Sequence, residues 1–332
     1  MAHEVETMMW VDHGNVGDRP WHGLGIRVEG CLSSEEAIIK AGLDWEVEKQ
    51  PIFLSDRKPV EDNYAIVRVT DKKPLGVVGP RYVPFQNRTA FKFFDEVVGS
   101  KEAIYETAGS LRGGRIVWIM SRLPGAIGWS EDPIEKWLIL SNAHDGSRKV
   151  MVTCSCIRVV CLNTLNAALH QAEVNFEIRH TREIFENIPD VREALGAVTT
   201  YFDQMQKVLE LLRDRKMSEQ EIKTYVHHLF PQKIKMGKED ELVEVLQVEI
   251  GPKIQAHIDE ILDLVETGKG TDIAGVKGTA YGVYNAAVEW ADFHKPIKKA
   301  DSELEARVHS MWFGTAARFK QRAFDQAVSL LS

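Results

Sequence analysis

KWLILSNAHDGSRKVMVTC, residues 136–154, decides the fold. Two apolar runs flank His144-Asp145-Gly146-Ser147. Asp-Gly between apolar runs is the strongest short signal for a β-hairpin, because the tight turns that match strand twist need positive φ at their central residues. Just upstream, SLRGGRIVWIMSRL (110–123) repeats the arrangement. A Gly113-Gly114 turn opens a strand that places Ile116, Trp118 and Met120 on one face. Successive hairpins predict an antiparallel sheet.

Toward the N-terminus, the order reads helix, strand, strand, strand, helix. Ser33 or Ser34 caps SSEEAIIKAGL, with acids in the first turn and Gly42 at its end. DWEVEKQPIFL (44–54), YAIVRVT (64–70) and LGVVG (75–79) read as strands, the last two joined by the Asp71-Lys72-Lys73 turn. Asn87 or Thr89 then caps a helix whose inner face carries Phe91, Phe94, Val97 and Val98. Toward the C-terminus, the period turns helical from Ile157 through Val160, Cys161, Leu165, Ala168 and Leu169. Beyond about residue 177 strand signals cease, and helical patterns run through 182–215, 218–229, 239–266, 279–293 and 302–330. Ser218 with Glu221 forms a capping box.

These patterns predict an α+β fold. A mostly antiparallel sheet with helices on one face fills the N-terminal half, and the C-terminal half is helical. The expected divisions are a turn-rich arm at 1–30, an α+β domain at 31–176 and a helical domain at 177–332. The chain has 332 residues, 44% hydrophobic and 27% charged, which suffices for a core of that size.

The net charge of −8 argues against a broad face for duplex DNA. Charge is uneven, however. Between Lys72 and Arg122 nine Lys/Arg stand against four acids, a local excess of five. Within that segment, VGPRYVPFQNRTAF (78–91) sets cations beside aromatic rings, the pair of groups that grips single-stranded nucleic acid. Arg81, Arg88, Lys92, Arg112, Arg115, Arg148 and Lys149 are the candidate phosphate contacts, and Tyr82 and Phe85 the candidate stacking rings. Asn142, Asn163 and Asn166 offer neutral hydrogen bonds, while Arg318 and Arg322 share a face of the last helix with Lys320 between them. The plainer alternative is solvated charge around core aromatics.

No reaction is spelled out. There is no Gly-x-Ser-x-Gly, no phosphate loop ending Gly-Lys-Ser/Thr and no His-Glu-x-x-His, and no cofactor is expected. Cys154, Cys156 and Cys161, with His144 nearby, lack the spacing of a structural zinc site and read as buried thiols. No stretch approaches the ~20 apolar residues of a membrane helix. MAHEVETMMW is acidic without an apolar run, so the expectation is a cytoplasmic protein with no membrane partner.

Six separated motifs carry a family resemblance. They are PWHGLG (20–25), VGPRYVPFQNRTAF (78–91), SNAHDGSRKVMV (141–152), VVCLNTLNAAL (159–169), GTAYGVYNAAVEWADFH (278–294) and WFGTAARFKQRAFDQA (312–327). Together they resemble the phage/plasmid-related family of unknown function, domain of unknown function 932. The resemblance implies mobile-element biology and brings no catalytic residues. The helix–strand–strand–strand–helix order of 33–98 is also similar to the core of single-strand annealing recombination proteins, which form rings and hold single-stranded DNA in a basic groove.

Three readings follow. The first is a phage-type protein that binds or anneals single-stranded DNA or RNA and forms homo-oligomers. The second is a protein-interaction or host-takeover factor acting through its helical half. The third is an enzyme on nucleotides or nucleic acids, in which His22, His144 and Asp145 converge.

Overall fold

In a computed structural model, the chain is described at residues 7–11, 26–28, 33–98, 104–158, 164–165, 175–181, 191–230, 250–297, 306–307, 309–311 and 314–331. The protein is α+β, with mostly antiparallel strands first and helices after. The deciding hairpin forms as its sequence directs: strand β8 (Asp132–Ala143) pairs antiparallel with β9 (Val150–Arg158), and Gly146 in the loop holds φ 73°. β6 (Ile104–Leu111) and β7 (Ile116–Trp129) pair likewise, across a turn in which Arg112, Gly113 and Gly114 all have positive φ.

Strict alternation divides β7 between two cores. Val117 and Ile119 enter the larger one, which also holds Leu138, Leu140, Val152, Cys154 and Cys156. Ile116, Trp118 and Met120 enter a smaller one on the opposite face with Met8, Trp137 and Ile139. Helices α2 (Asn87–Val98) and α3 (Val191–Asp214) lie on the first face.

Two segments differ from expectation. β1 (Thr7–Val11), within the stretch read as an arm, is an inner strand, antiparallel to β6 on one side and parallel to β2 (Ile26–Val28) on the other. Its Met8-Met9-Trp10-Val11 run is buried throughout, as continuous apolar runs in inner strands are. The helical period expected from Ile157 gives way to strand. β9 runs to Arg158, and its free edge takes both β10 (Thr164–Leu165) and β11 (Asn175–Ile178). Apolar spacing alone does not separate a short buried strand from a helix, and hydrogen bonding to β9 settles the matter here. Cys161, Asn163 and Asn166 lie outside the described residues.

A second sheet stands beside the first. α1 (Ser34–Lys40) is closed by a capping box of Ser33 and Glu36, and β3 (Val47–Phe53), β4 (Pro59–Arg68) and β5 (Pro74–Val78) follow as an antiparallel three-stranded sheet ahead of α2. The two sheets meet where β5 crosses the β8–β9 loop. A Cβ built on Gly76 would lie 2.8 Å from Asp145 Cβ and 2.9 Å from its carbonyl oxygen.

The helical half is built around α6 (Ala280–Glu289), every residue of which is buried. α4 (Glu219–His228) carries the expected Ser218/Glu221 capping box. α5 (Pro252–Thr267) and α7 (Thr315–Ser329) pack on α6, and the Tyr281 hydroxyl donates to Asp132 at 2.9 Å, tying α6 to the first sheet. After α6 the chain makes a π-helical turn (Trp290–His294) that delivers Asp292 to Lys320 at 2.7 Å, both side chains fully buried.

Two stability measurements test this packing. Gly76→Ala, with no room for its methyl group against backbone, should lower the urea unfolding free energy by ~1–3 kcal/mol; an unchanged midpoint would mean the sheets meet loosely. Lys320→Met alone strands a buried carboxylate and should cost ~3–5 kcal/mol, whereas Lys320→Met combined with Asp292→Leu should recover most of it.

Candidate functional site

The loop between β5 and α2 has its backbone clasped from below. Lys49 Nζ donates to the carbonyl oxygens of Gly79, Pro80 and Tyr82 at 3.0, 2.7 and 3.0 Å, and sits 4.4 Å from the Tyr64 ring centroid. Burial lowers its pKa from the ordinary lysine value. Val83 N donates to His180 O at 2.9 Å, Asn142 Nδ2 to Phe85 O at 2.8 Å, and the Gln86 amide bonds both N and O of Val47. Asn87 does not cap α2 with its side chain. Its Nδ2 donates to Leu43 O and Trp45 O, and its Oδ1 meets His144 Nε2 at 2.8 Å.

This clasp turns the expected stacking rings inward. Phe85 is fully buried in the core. Tyr82 stacks on His180 at 4.5 Å and donates its hydroxyl to Ala143 O at 3.0 Å. Neither ring is presented to a base, because the loop backbone needs these partners once buried. His144 also faces inward, its pKa lowered to about 3 by burial, while Asp145 bonds the loop it belongs to, accepting from Ser147 N at 2.9 Å. His22 lies outside the described residues, and the acid–base convergence of the enzyme reading does not form between His144 and Asp145.

The cations are divided. Arg88 is engaged by Asp44 and Glu35, and Lys149 by Glu177. Arg81, Lys92 and Arg115 are exposed, Arg81 on the clasped loop, Lys92 along α2 and Arg115 at the β6–β7 turn. Arg112 and Arg148 come together. They sit at the two neighbouring hairpin ends, and their charges act on each other and on His309 of the helical half. Burial lowers the Arg148 pKa, and the charges of Arg112 and Arg318 lower it further, with Asp145 opposing. His309 is held down to about 4 by burial and then by Arg112 and Arg148. Lys295 is lowered by burial and then by Arg318, Arg307 and Arg322.

These mutual influences gather Arg112 and Arg148 on the sheet side with Lys295, Arg307, His309, Arg318 and Arg322 on the helical side into one cationic cluster. Lys320 does not belong to it, since Asp292 neutralises it in the core. Like charges gathered at partly buried positions repel each other, and an anion in their midst relieves that repulsion. Lys295 further donates to Thr315 Oγ1 at 2.8 Å, which holds its ammonium at the start of α7. Sequence reasoning found Arg112, Arg148, Arg318 and Arg322 but not Lys295, Arg307 or His309. No spacing signal joins residues so far apart along the chain.

Cys154 and Cys156 are buried on β9, and burial pushes the Cys156 thiol up to about 12. Among the described residues no three His, Cys, Asp or Glu side chains gather as a metal site, and no helix is long and apolar enough to cross a membrane.

The protein is thus α+β, with a cationic cluster where the sheet's hairpin ends approach the helical half. The profile of a domain of unknown function, DUF932, matches residues 74–312, and the chain belongs to that family. No curated protein and no solved structure matches the chain. The matched span runs from β5 to His309 and its neighbours, so it contains the clasped loop and most of the cluster.

The histidines give the site a pH signature. His144, His180 and His309 all have pKa values lowered by burial, so the unfolded chain takes up protons first as pH falls. Their contribution to stability is complete above the unfolded value of about 6.5. It is lost as pH falls toward the folded values of about 4 for His309 and about 3 for His144. Urea midpoints should therefore drop between pH about 6.5 and about 4, and His309→Asn should flatten part of that drop; a profile identical to that of the parent would remove His309 from the buried set.

Proposed function

We infer that this protein binds single-stranded nucleic acid through its phosphate backbone, at the cationic cluster where the hairpin ends approach the last helices. The observation that supports this reading is the gathering of Arg112 and Arg318 about Arg148, whose guanidinium feels the charge of both, three such groups from two halves of the chain. Guanidinium forks match phosphate oxygens in pairs. A chain with a net charge of −8 repels polyanions over most of its surface, which favours a narrow strand at a local cluster of cations over a duplex spread on a face.

A finer reading adds annealing of complementary strands by a homo-oligomer encoded on a mobile element. The order α1–β3–β4–β5–α2 supports it through its likeness to the core of annealing proteins.

The test is anisotropy of a labelled single strand titrated over salt, with duplex of equal length beside it. Each backbone contact to a single strand contributes about 0.7 to the slope of log affinity against log salt. Arg148→Ala with Arg318→Ala should make that slope shallower by about 1.4 and weaken binding at every sequence alike. Lys92→Ala, away from the cluster, should change neither. Unaltered affinity and slope in the double variant would place the nucleic acid elsewhere, and no binding at low salt would end the reading.

A further inference from the structure

The β3–β4 hairpin outruns its own sheet. Tyr64 pairs with Pro51 on one side and with Val78, the last residue of β5, on the other. The hairpin continues to the Phe53–Pro59 pair, so five residues of β4, from Pro59 to Asn63, have no β5 neighbour. At about 3.4 Å per residue the overhang is about 17 Å.

The tip of this finger is an ordered turn. Leu54 N donates to Lys58 O and Arg57 N to Leu54 O, both at 2.8 Å, and Lys58 N donates to Asp56 Oδ1 at 3.1 Å. Arg57 adopts φ 67°, and Lys58 pairs with Asp56 at 3.0 Å. On that fixed turn Phe53 and Leu54 are 57% and 56% exposed, two adjacent large apolar side chains held in water. The neighbouring charges, Asp56, Arg57, Lys58, Glu61 and Asp62, nearly cancel, so the tip is no phosphate contact.

The direction of the overhang matters. The finger leaves the sheet at the end where β5 passes into Gly79 and exposed Arg81. There Val78 Cγ1 lies 3.0 Å from where a Cβ on Gly146 would stand, and Gly146 is two residues from Arg148. The base of the finger thus lies beside the β8–β9 loop, which carries Arg148.

We propose that Phe53 and Leu54 are the base-contacting element beside the cluster: a strand whose phosphates lie on Arg112, Arg148 and Arg318 runs out beneath the finger and stacks a base on Phe53, with Leu54 wedged beside it. Apolar wedges and aromatic platforms are how proteins engage bases without reading sequence. This rests on the single-strand reading above, and it supplies the base contact that Tyr82 and Phe85, turned into the core, do not make.

The experiment compares an oligothymidine with an abasic strand of equal length, using the full chain. The parent should bind the base-bearing strand roughly ten-fold tighter or more, as stacking on one ring predicts. Phe53→Ala with Leu54→Ala should keep the abasic affinity and the salt slope while losing most of that preference, and Phe53→Tyr should restore it. Both positions are exposed, so unfolding midpoints should not move. If the double variant discriminates as the parent does, the finger makes no base contact, while the phosphate site stands. If the parent binds neither strand, the phosphate site falls too. If the parent binds anionic phospholipid vesicles, the double variant does not, and oligonucleotide binding is the same in both, the tip is a membrane contact and the proposal is overturned.

Discussion

Where β5 crosses the β8–β9 loop, backbone lies on backbone. Gly76 has no side chain because Asp145 occupies the place where one would go. The same edge then carries Lys73, whose side chain lies against Gly113 at the β6–β7 turn, and Val78, which lies against Gly146. One short strand therefore fixes the second sheet against both hairpin ends of the first. Those ends carry Arg112 and Arg148, and the second sheet carries the finger beyond Val78. Cluster and finger hold their relation to each other through this crossing, and a side chain at Gly76 would pry them apart.

Charge is treated in two opposite ways in the helical half. Lys320 and Asp292 are both removed from water, and each cancels the other at 2.7 Å. A buried pair of this kind adds little net stability, because desolvation takes back most of the attraction. It does fix which side of α7 faces the core. With Lys320 turned inward, Arg318 and Arg322 are left exposed on that helix. The net charge of −8 means that such a cluster of cations stands against an acidic whole.

Much of the fold was legible from chemistry local to each element. Asp145-Gly146 and Gly113-Gly114 marked the two hairpins, alternation along 116–120 divided two faces, and Ser218 with Glu221 marked a helix start, because each signal is complete within a few residues. What failed needed partners distant in sequence. Met8 to Val11 became an inner strand only because β6 stands ready to pair with it. Residues near 157 became strand because β9 had an edge to extend. The cluster was half legible: Arg112, Arg148 and Arg318 were visible as cations, but their meeting depends on packing the last helices against hairpins more than a hundred residues upstream.

The loop 79–87 shows why a polar, aromatic motif is ambiguous when read alone. A chain that enters a core without regular structure carries donors and acceptors that must all be satisfied. Here they are satisfied by Lys49, Asn142 and the backbone of His180, with Tyr82, Gln86 and Asn87 sending their own side chains out to distant backbone groups. The dense run of Arg, Tyr, Gln and Asn that suggests a ligand is thus largely the signature of a buried loop meeting its own hydrogen-bonding demand. A ligand contact carries the opposite signature, groups kept from their nearest internal partners: cations crowded against cations, and an aromatic ring with its leucine held in water on a fixed turn. An exposed ring of this kind stands at Phe53 with Leu54 beside it, and Arg112 and Arg318 gather about Arg148.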